Sequence, residues 1–221
     1  MFIGHFGLSL AAKKAAPKVS LATLFIATQF VDILWPFLLV FNIEKVAVTP
    51  GYTKMNPLEF IHYPYTHSLL MGIVWGLVLG AIHWLLKKDI RGAVVIGICV
   101  LSHWFLDLIV HVADLPLTPF SDDKVGLGLW NHVVITLLLE TAIFLVGTYI
   151  YITFTKAKNK IGKWGLWSLV ILLLLITLSN TFGPPPPDSV MTLFVSLIVL
   201  MGIIISLSYW VDRNRAIAEQ K

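Results

Sequence analysis

Six stretches of this sequence are long and apolar enough to cross a lipid bilayer, which a helix of roughly 20 apolar residues does. The stretches cover approximately residues 19–43, 68–86, 92–115, 129–154, 164–182 and 189–211. Only 13% of the 221 residues are charged, whereas a soluble domain carries about a quarter. We therefore predict an all-α integral membrane protein in which residues 1–221 form a single transmembrane domain.

The segment before the first stretch reads "MFIGHFGLSLAAKKAAPK". Its positive charges follow its apolar part, which is the reverse of a secretory signal peptide, so we expect it to be retained. The apolar part of about 11 residues would make roughly 16 Å of helix, too short to cross the bilayer. We predict a bundle of six transmembrane helices plus a short N-terminal half-membrane helix over residues 2–16, which carries His5 into the bundle.

The basic residues alternate with the predicted spans. Thirteen of the sixteen lysines and arginines fall on one side, and Lys45, Lys54 and Lys124 fall on the other. The positive-inside rule therefore predicts that both termini are cytoplasmic. Because this distribution follows topology and forms no patch, it argues against a nucleic-acid partner despite the net charge of +4. Membrane lipids are the expected surroundings, and the sequence does not define an oligomeric state.

The stretch "LSHWFLDLIVHVADLP" at 101–116, in the second half of the third span, carries His103, Asp107, His111 and Asp114 at spacings of four, four and three. At about 100° per residue, these positions share one face of a helix. A His and an Asp one turn apart can bind the same cation, as paired histidines do in zinc helices. The alternative is that the histidines donate hydrogen bonds to the carboxylates and hold neighbouring helices together.

Two other spans carry polar residues at comparable depth. Asp32 lies near the middle of the first span, and Pro36 follows four residues later, which predicts that the helix opens at Asp32. His67 stands at the start of the second span, where Thr66 could cap the helix. Charged groups at this depth are costly unless a partner compensates. The alternatives are a hydrogen-bonded carboxyl for Asp32 and a polar helix terminus for His67.

The fourth span repeats the pattern with His132, Thr136 and Glu140. Glu140 could be a metal ligand, a general base or a partner that orients a histidine. His83, at the opposite end of the second span, is predicted to be a solvated terminus. Imidazole and carboxylate ligands without thiolate suit Zn²⁺ best, with Mn²⁺ or Fe²⁺ possible.

The segments "IGHFGLSLAAKK", "YTHSLL" and "LSHWFLDL", with an aspartate between the first two, carry a family resemblance. Their order resembles that of the membrane-bound metal-dependent hydrolases described as LexA-regulated inner-membrane proteins, over roughly residues 3–120. The resemblance implies an inner-membrane location and a metal site made of His5, Asp32, His67, His103 and Asp107. The ligand order is also similar to that of zinc-dependent phospholipase C, in which the last aspartate bridges metals.

Three functions compete at this point. The leading hypothesis is a metal-dependent hydrolase of phosphoester or lipid-like substrates that reach the outer half of the bilayer, with Glu140 or His111 as general base. The alternative is a proton- or divalent-metal-coupled transporter or channel, in which the same residues form a relay. A third possibility is a scaffold protein with a structural metal. A path continuing to the cytoplasmic face would favour transport, and an open metal position would favour hydrolysis.

Overall fold

The computed structural model describes residues 1–218. Most of these residues are helical. The helices are α1 (Ile3–Ala15), α2 (Leu21–Thr28), α3 (Phe30–Val40), α4 (Pro64–His67), α5 (Leu69–Lys87), α6 (Ile90–Val110), α7 (Val133–Phe154), α8 (Leu166–Phe182) and α9 (Val190–Arg213).

Five helical segments are long and apolar enough to span a membrane: α5, α6, α7, α8 with the π-helical turn before it, and α9. Helices α2 and α3 would make a sixth span if the bent pair is taken as one. The predicted helical membrane class is therefore confirmed, and the count of six spans stays a prediction. Two boundaries differ from expectation, since α6 ends at Val110 and α7 begins only at Val133.

The first span bends by 54° between α2 and α3. The break is at Gln29, whose φ of −105° and ψ of 10° depart from helical values. The prediction that the helix opens at Asp32 was wrong, because α3 continues through Pro36. A proline removes one helical hydrogen bond, which a transmembrane helix tolerates when neighbouring groups compensate.

One end of the bundle carries two antiparallel hairpins, β1 (Lys45–Val48) with β2 (Leu58–His62) and β3 (Leu115–Pro116) with β4 (Lys124–Val125). The segment "GPPPPD" at 183–188 is non-helical and turns the chain from α8 to α9, as its prolines predict. We call this end the hairpin end.

The opposite end, which we call the basic end, holds the pair β5 (Thr155–Ala157) and β6 (Arg215–Ile217). Lys13 Nζ on α1 lies 2.8 Å from Asp212 Oδ2 on α9, and Tyr151 of α7 donates to the same carboxylate at 2.8 Å. These contacts join three helices. Twelve of the thirteen basic residues predicted to share a side lie at this end, and Lys221 lies outside the described residues. Which side of a membrane this end faces stays a prediction.

Helix α1 packs along α7 at very close range. A Cβ added to Gly7 would lie 2.6 Å from the Cα of Phe144, and one added to Gly147 would collide with the backbone of Gly7. Only glycine permits this approach. The amino end of α1 is consequently enclosed by the bundle, and the side chains of Ile3 and His5 have no solvent exposure. That α1 crosses only half of a bilayer stays a prediction.

Candidate metal centre

The five residues implied as metal ligands come together from four helices. His5 comes from the first turn of α1, Asp32 from α3, His67 from the end of α4, and His103 and Asp107 from α6. They form two overlapping sets, His5–His103–Asp107 and Asp32–His67–His103. Within each set, one candidate ligand atom per residue lies within 4.8 Å of the others. His103 belongs to both sets and therefore lies at the centre of the cluster.

The histidine–carboxylate contacts all use the Nε2 atom of the imidazole ring. His5 Nε2 lies 3.1 Å from Asp107 Oδ1, and His103 Nε2 lies 3.1 Å from Asp107 Oδ2. His67 Nε2 lies 3.2 Å from Asp32 Oδ1, which is 3.7 Å from His103 Nε2. The rings of His5 and His103 stack with centroids 3.9 Å apart. Asp32 thus faces two imidazole nitrogens, and Asp107 faces the same number within the five-residue cluster.

The break in the first span determines which ring nitrogen of His103 carries the proton when the ring is neutral. His103 Nδ1 lies 2.7 Å from the carbonyl oxygen of Thr28, the last residue of α2. A carbonyl can only accept a hydrogen bond, so Nδ1 is the protonated nitrogen. In a neutral ring, Nε2 then carries a lone pair. Within the described residues this buried Nε2 makes no hydrogen bond, although two carboxylates lie near it.

A second contact of the same kind orients His67. The hydroxyl of Thr66 donates to Glu44 Oε2 at 2.7 Å, so its oxygen is available to accept from His67 Nδ1, also at 2.7 Å. Glu44 Oε1 accepts the backbone N–H groups of Tyr65 and Thr66. Burial raises the pKa of the Glu44 carboxyl, while these donated hydrogen bonds act in the opposite direction. The arrangement protonates Nδ1 of His67 and directs the lone pair of Nε2 toward Asp32.

The predicted role of Thr66 as a helix cap was wrong. Ser68 begins α5 and accepts the N–H of Met71, whereas Thr66 lies within α4 and orients His67. Glu44 was not among the predicted site residues. It lies in the loop after α3, and no spacing in the sequence connects it to a residue 22 positions further along.

Two chemical states satisfy this geometry. With both His67 and His103 neutral, lone pairs face carboxylates, and this repulsion disappears only if a cation lies between them. With both rings protonated, the contacts are ion pairs that hold helices together. A histidine that binds a metal is neutral, and its other ring nitrogen donates a hydrogen bond to a carboxylate, a backbone carbonyl or another oxygen that is itself held in place. The Thr28 carbonyl and the Thr66–Glu44 pair match that pattern.

Glu140 and the first residues of the chain meet at the edge of the cluster. Glu140 Oε2 accepts the backbone N–H groups of Phe2 at 2.8 Å and of Gly4 at 3.5 Å. The amino group of Met1 lies 2.6 Å from Asp107 Oδ1, a contact that the sequence did not predict. Glu140 therefore orients the first turn of α1, and its role as a general base stays a prediction.

His111 lies just past the end of α6 with Nδ1 2.9 Å from Asp114 Oδ1 and Nε2 3.6 Å from Asp107 Oδ2. Asp114 was predicted on the helix but lies in the following turn, because α6 ends at Val110. The Asp114 carboxylate also accepts hydrogen bonds from Tyr52 at 3.2 Å and Tyr63 at 3.3 Å. Burial raises the pKa of Tyr52 to about 12, so this phenol remains a donor.

His132 and His83, which the sequence analysis singled out, lie apart from the cluster. His132 is exposed and precedes α7, so the predicted stripe with Thr136 and Glu140 does not form. His83 lies at the basic end, where its Nε2 is 3.7 Å from Asp89 Oδ2. The side chain of His83 is 14% exposed, so it is largely buried and not the solvated terminus that the sequence suggested.

A cavity of about 680 Å³ connects the cluster with the hairpin end. Asp32, His67, Asp107, His111 and Glu140 lie on its inner wall. The β1–β2 loop, the prolines at 184–187 and the first turns of α9 also line this open cavity. The cavity is large enough for a small ligand, which could contact these groups.

Comparison with known proteins identifies one related family. A sequence model described as "YdjM inner membrane protein" matches residues 3–183, a range that contains the whole cluster. No curated protein and no solved structure matches the chain.

Proposed function

The chain belongs to the YdjM inner membrane protein family, and we propose that it is an integral-membrane, metal-dependent hydrolase. Its substrates are phosphoester or lipid-like molecules that enter from the outer half of the bilayer, with the hairpin end outward. The observation that carries this proposal is the pair of Nε2 atoms of His67 and His103, each held toward carboxylates beside a cavity. The family description names a membrane location and no reaction.

Asp32, His67, His103 and Asp107 would hold the metal, with His5 as a fifth ligand or a ligand of a second ion. Zn²⁺ suits these donors best, and Mn²⁺ or Fe²⁺ also accept them. When bound, such a metal lowers the pKa of a coordinated water to near 7 and polarises the scissile group. Because Asp32 and His67 line the cavity, a substrate could reach an open coordination position.

His111 is the better placed of the two candidate bases. Its Nδ1 donates to Asp114, so in the neutral ring Nε2, 3.6 Å from Asp107 Oδ2, carries a lone pair that could accept a proton, and the residue lines the cavity. As the water oxygen bonds to phosphorus, His111 Nε2 would take the water proton; the bond from phosphorus to the ester oxygen would then break, and the leaving alkoxide would take that proton back from Nε2. Asp114 stabilises the imidazolium formed in this step. Glu140 already accepts two backbone N–H groups, which favours a positioning role.

Transport is the second candidate and is less well supported. A conduction path would have to continue from the cluster to the basic end. Buried Leu24, Phe25, Ile96 and Val100 occupy much of the region between them, and the polar side chains of Ser9 and Thr28 there hydrogen-bond to each other and are not titratable. A structural metal would need all its coordination positions filled by protein, whereas this cluster borders a cavity.

Hydrolysis by the full chain in lipid nanodiscs, loaded with Zn²⁺ or Mn²⁺, tests the proposal. The probe is a chromogenic phosphodiester, bis(p-nitrophenyl) phosphate. We expect His111→Ala to retain metal and to lose hydrolysis by about 100-fold or more, as removal of a general base does. Metal-dependent ion flux in proteoliposomes without hydrolysis of the probe would favour the transporter instead.

A further inference from the structure

We infer that the substrate is an amphiphile, whose phosphoester head group lies at the cluster and whose apolar chain lies along α9. This inference rests on the proposed function and specifies its substrate class. It is argued from residues that line the cavity but take no part in the proposed catalysis.

Part of the cavity wall is apolar and belongs to α9. Leu193, Leu197, Leu200 and Met201 line the cavity. They follow one another at spacings of four, three and one, so they share one face of the helix. From Leu193 to Met201 this face is about 12 Å long at 1.5 Å per residue. Such a surface binds an alkyl or prenyl chain by removing it from water and offers nothing to a small hydrophilic phosphoester.

The face of α9 that lines the cavity is distinct from the face that is exposed on the surface of the bundle. Leu193 and Met201 are 8% and 4% exposed, whereas Val195 and Val199 between them are 50% and 54% exposed and do not line the cavity. Leu197 and Leu200 are partly buried, so the apolar wall is shielded from the exposed face of α9 although it is not fully enclosed.

The hairpin end of the same cavity is polar. Thr192 and Ser196 of α9 line it, and so does Lys54 from the β1–β2 loop. Lys54 is the single lysine or arginine among the lining residues of the described chain. A cation at the mouth and a metal at the inner wall would both attract a phosphate group, which would otherwise meet the carboxylates of Asp32, Asp107 and Glu140.

Polar and apolar lining residues thus interleave over the first turns of α9, where Thr192 and Ser196 flank Leu193. Beyond Ser196 the lining residues of this helix are the apolar Leu197, Leu200 and Met201. The chain of a bound amphiphile would lie along this second part of the face.

Cysteine protection in nanodiscs tests this binding mode without requiring catalysis. In a Cys99→Ala background, Ser196→Cys is modified with a thiol reagent in the presence of dodecyl phosphonate or methyl phosphonate. We expect dodecyl phosphonate to slow modification at least fivefold and methyl phosphonate to leave it unchanged. Lys124→Cys, outside the cavity, is the control for loss of reagent into the bilayer. Equal protection by both probes, or none by either, would overturn the inference.

A steric variant connects binding with turnover. Leu200→Trp fills the apolar wall, and Val199→Trp places the same side chain on the neighbouring, lipid-facing position. We expect Leu200→Trp to raise the KM for a dodecyl phosphodiester and not for its methyl counterpart, while Val199→Trp changes neither. Hydrolysis without chain dependence would reject the amphiphile and retain the hydrolase. Protection of Ser196→Cys by dodecyl phosphonate without any hydrolysis would support amphiphile binding and reject the hydrolase.

Discussion

His67 and His103 owe their orientation to groups outside the ligand set. Each ring donates from Nδ1 to an oxygen and directs Nε2 at a carboxylate. Spacing in the sequence predicts His103 and Asp107 as a pair, because one helical turn separates them. The Thr28 carbonyl could not be predicted in this way, since its role depends on where the helix breaks. Glu44 also gives no local signal, because its contact with Thr66 exists only in the folded chain.

At the residue scale, the Thr66 hydroxyl provides a sharp test of this orientation. Thr66→Val removes the acceptor of His67 Nδ1 while retaining the shape of the side chain. We expect Zn²⁺ affinity to fall by about 10- to 100-fold, as loss of such a partner does. The measurement is competition with a fluorescent chelator. Thr66→Ser, which retains the hydroxyl, should bind Zn²⁺ as the wild type does, and equal affinity in all three proteins would contradict this account.

At the element scale, the first span shows where sequence reasoning fails. Pro36 suggested a break at Asp32, yet the chain bends at Gln29 and stays helical through the proline. A missing N–H predicts a weak point in a helix, but tertiary contacts decide where the bend occurs. The predicted helix ends were also wrong: His111 and His132 were expected inside the third and fourth spans, but they lie just outside α6 and α7.

The close approach of α1 and α7 yields a prediction for these elements. Gly147→Leu forces the two helices apart, since even a Cβ there collides with Gly7. We expect a loss of stability of about 1–3 kcal/mol, typical of overpacking, and a weaker metal site because His5 is displaced. Thermal unfolding and metal content are the measurements. Gly202→Leu on α9, where an added Cβ meets no atom within 4 Å, is the matched control. A Gly147→Leu protein as stable and as metal-rich as that control would refute the displacement.

At the scale of the whole molecule, the membrane class followed from composition and from the lengths of the apolar stretches, and the helices confirm it. Those features do not reveal which spans are neighbours. The cluster forms because α1, α3, α4 and α6 meet, and only the fold shows that meeting.

Orientation in the membrane is the global prediction that labelling can test. If the basic end is cytoplasmic, cysteines at Lys54→Cys and Lys158→Cys in a Cys99→Ala background should react from opposite sides of the membrane. An impermeant thiol reagent applied to intact and to permeabilised cells distinguishes the two faces. Reaction of both cysteines from the same side would reject the outward-facing cavity.

The central claim, that the cluster binds a metal ion, is tested most directly by metal per protein in three samples of matched purity. These are the wild type, Asp107→Asn and Asp114→Asn, each expressed with ample zinc and manganese. Asp107→Asn retains shape and removes a charge next to His5, His103 and the Met1 amine. We predict near-stoichiometric metal in the wild type and in Asp114→Asn, and a sharp fall in Asp107→Asn with the helical fold intact. Equal metal content in all three proteins, or no metal in the wild type, would contradict the claim and leave the histidine–aspartate contacts as ion pairs between helices.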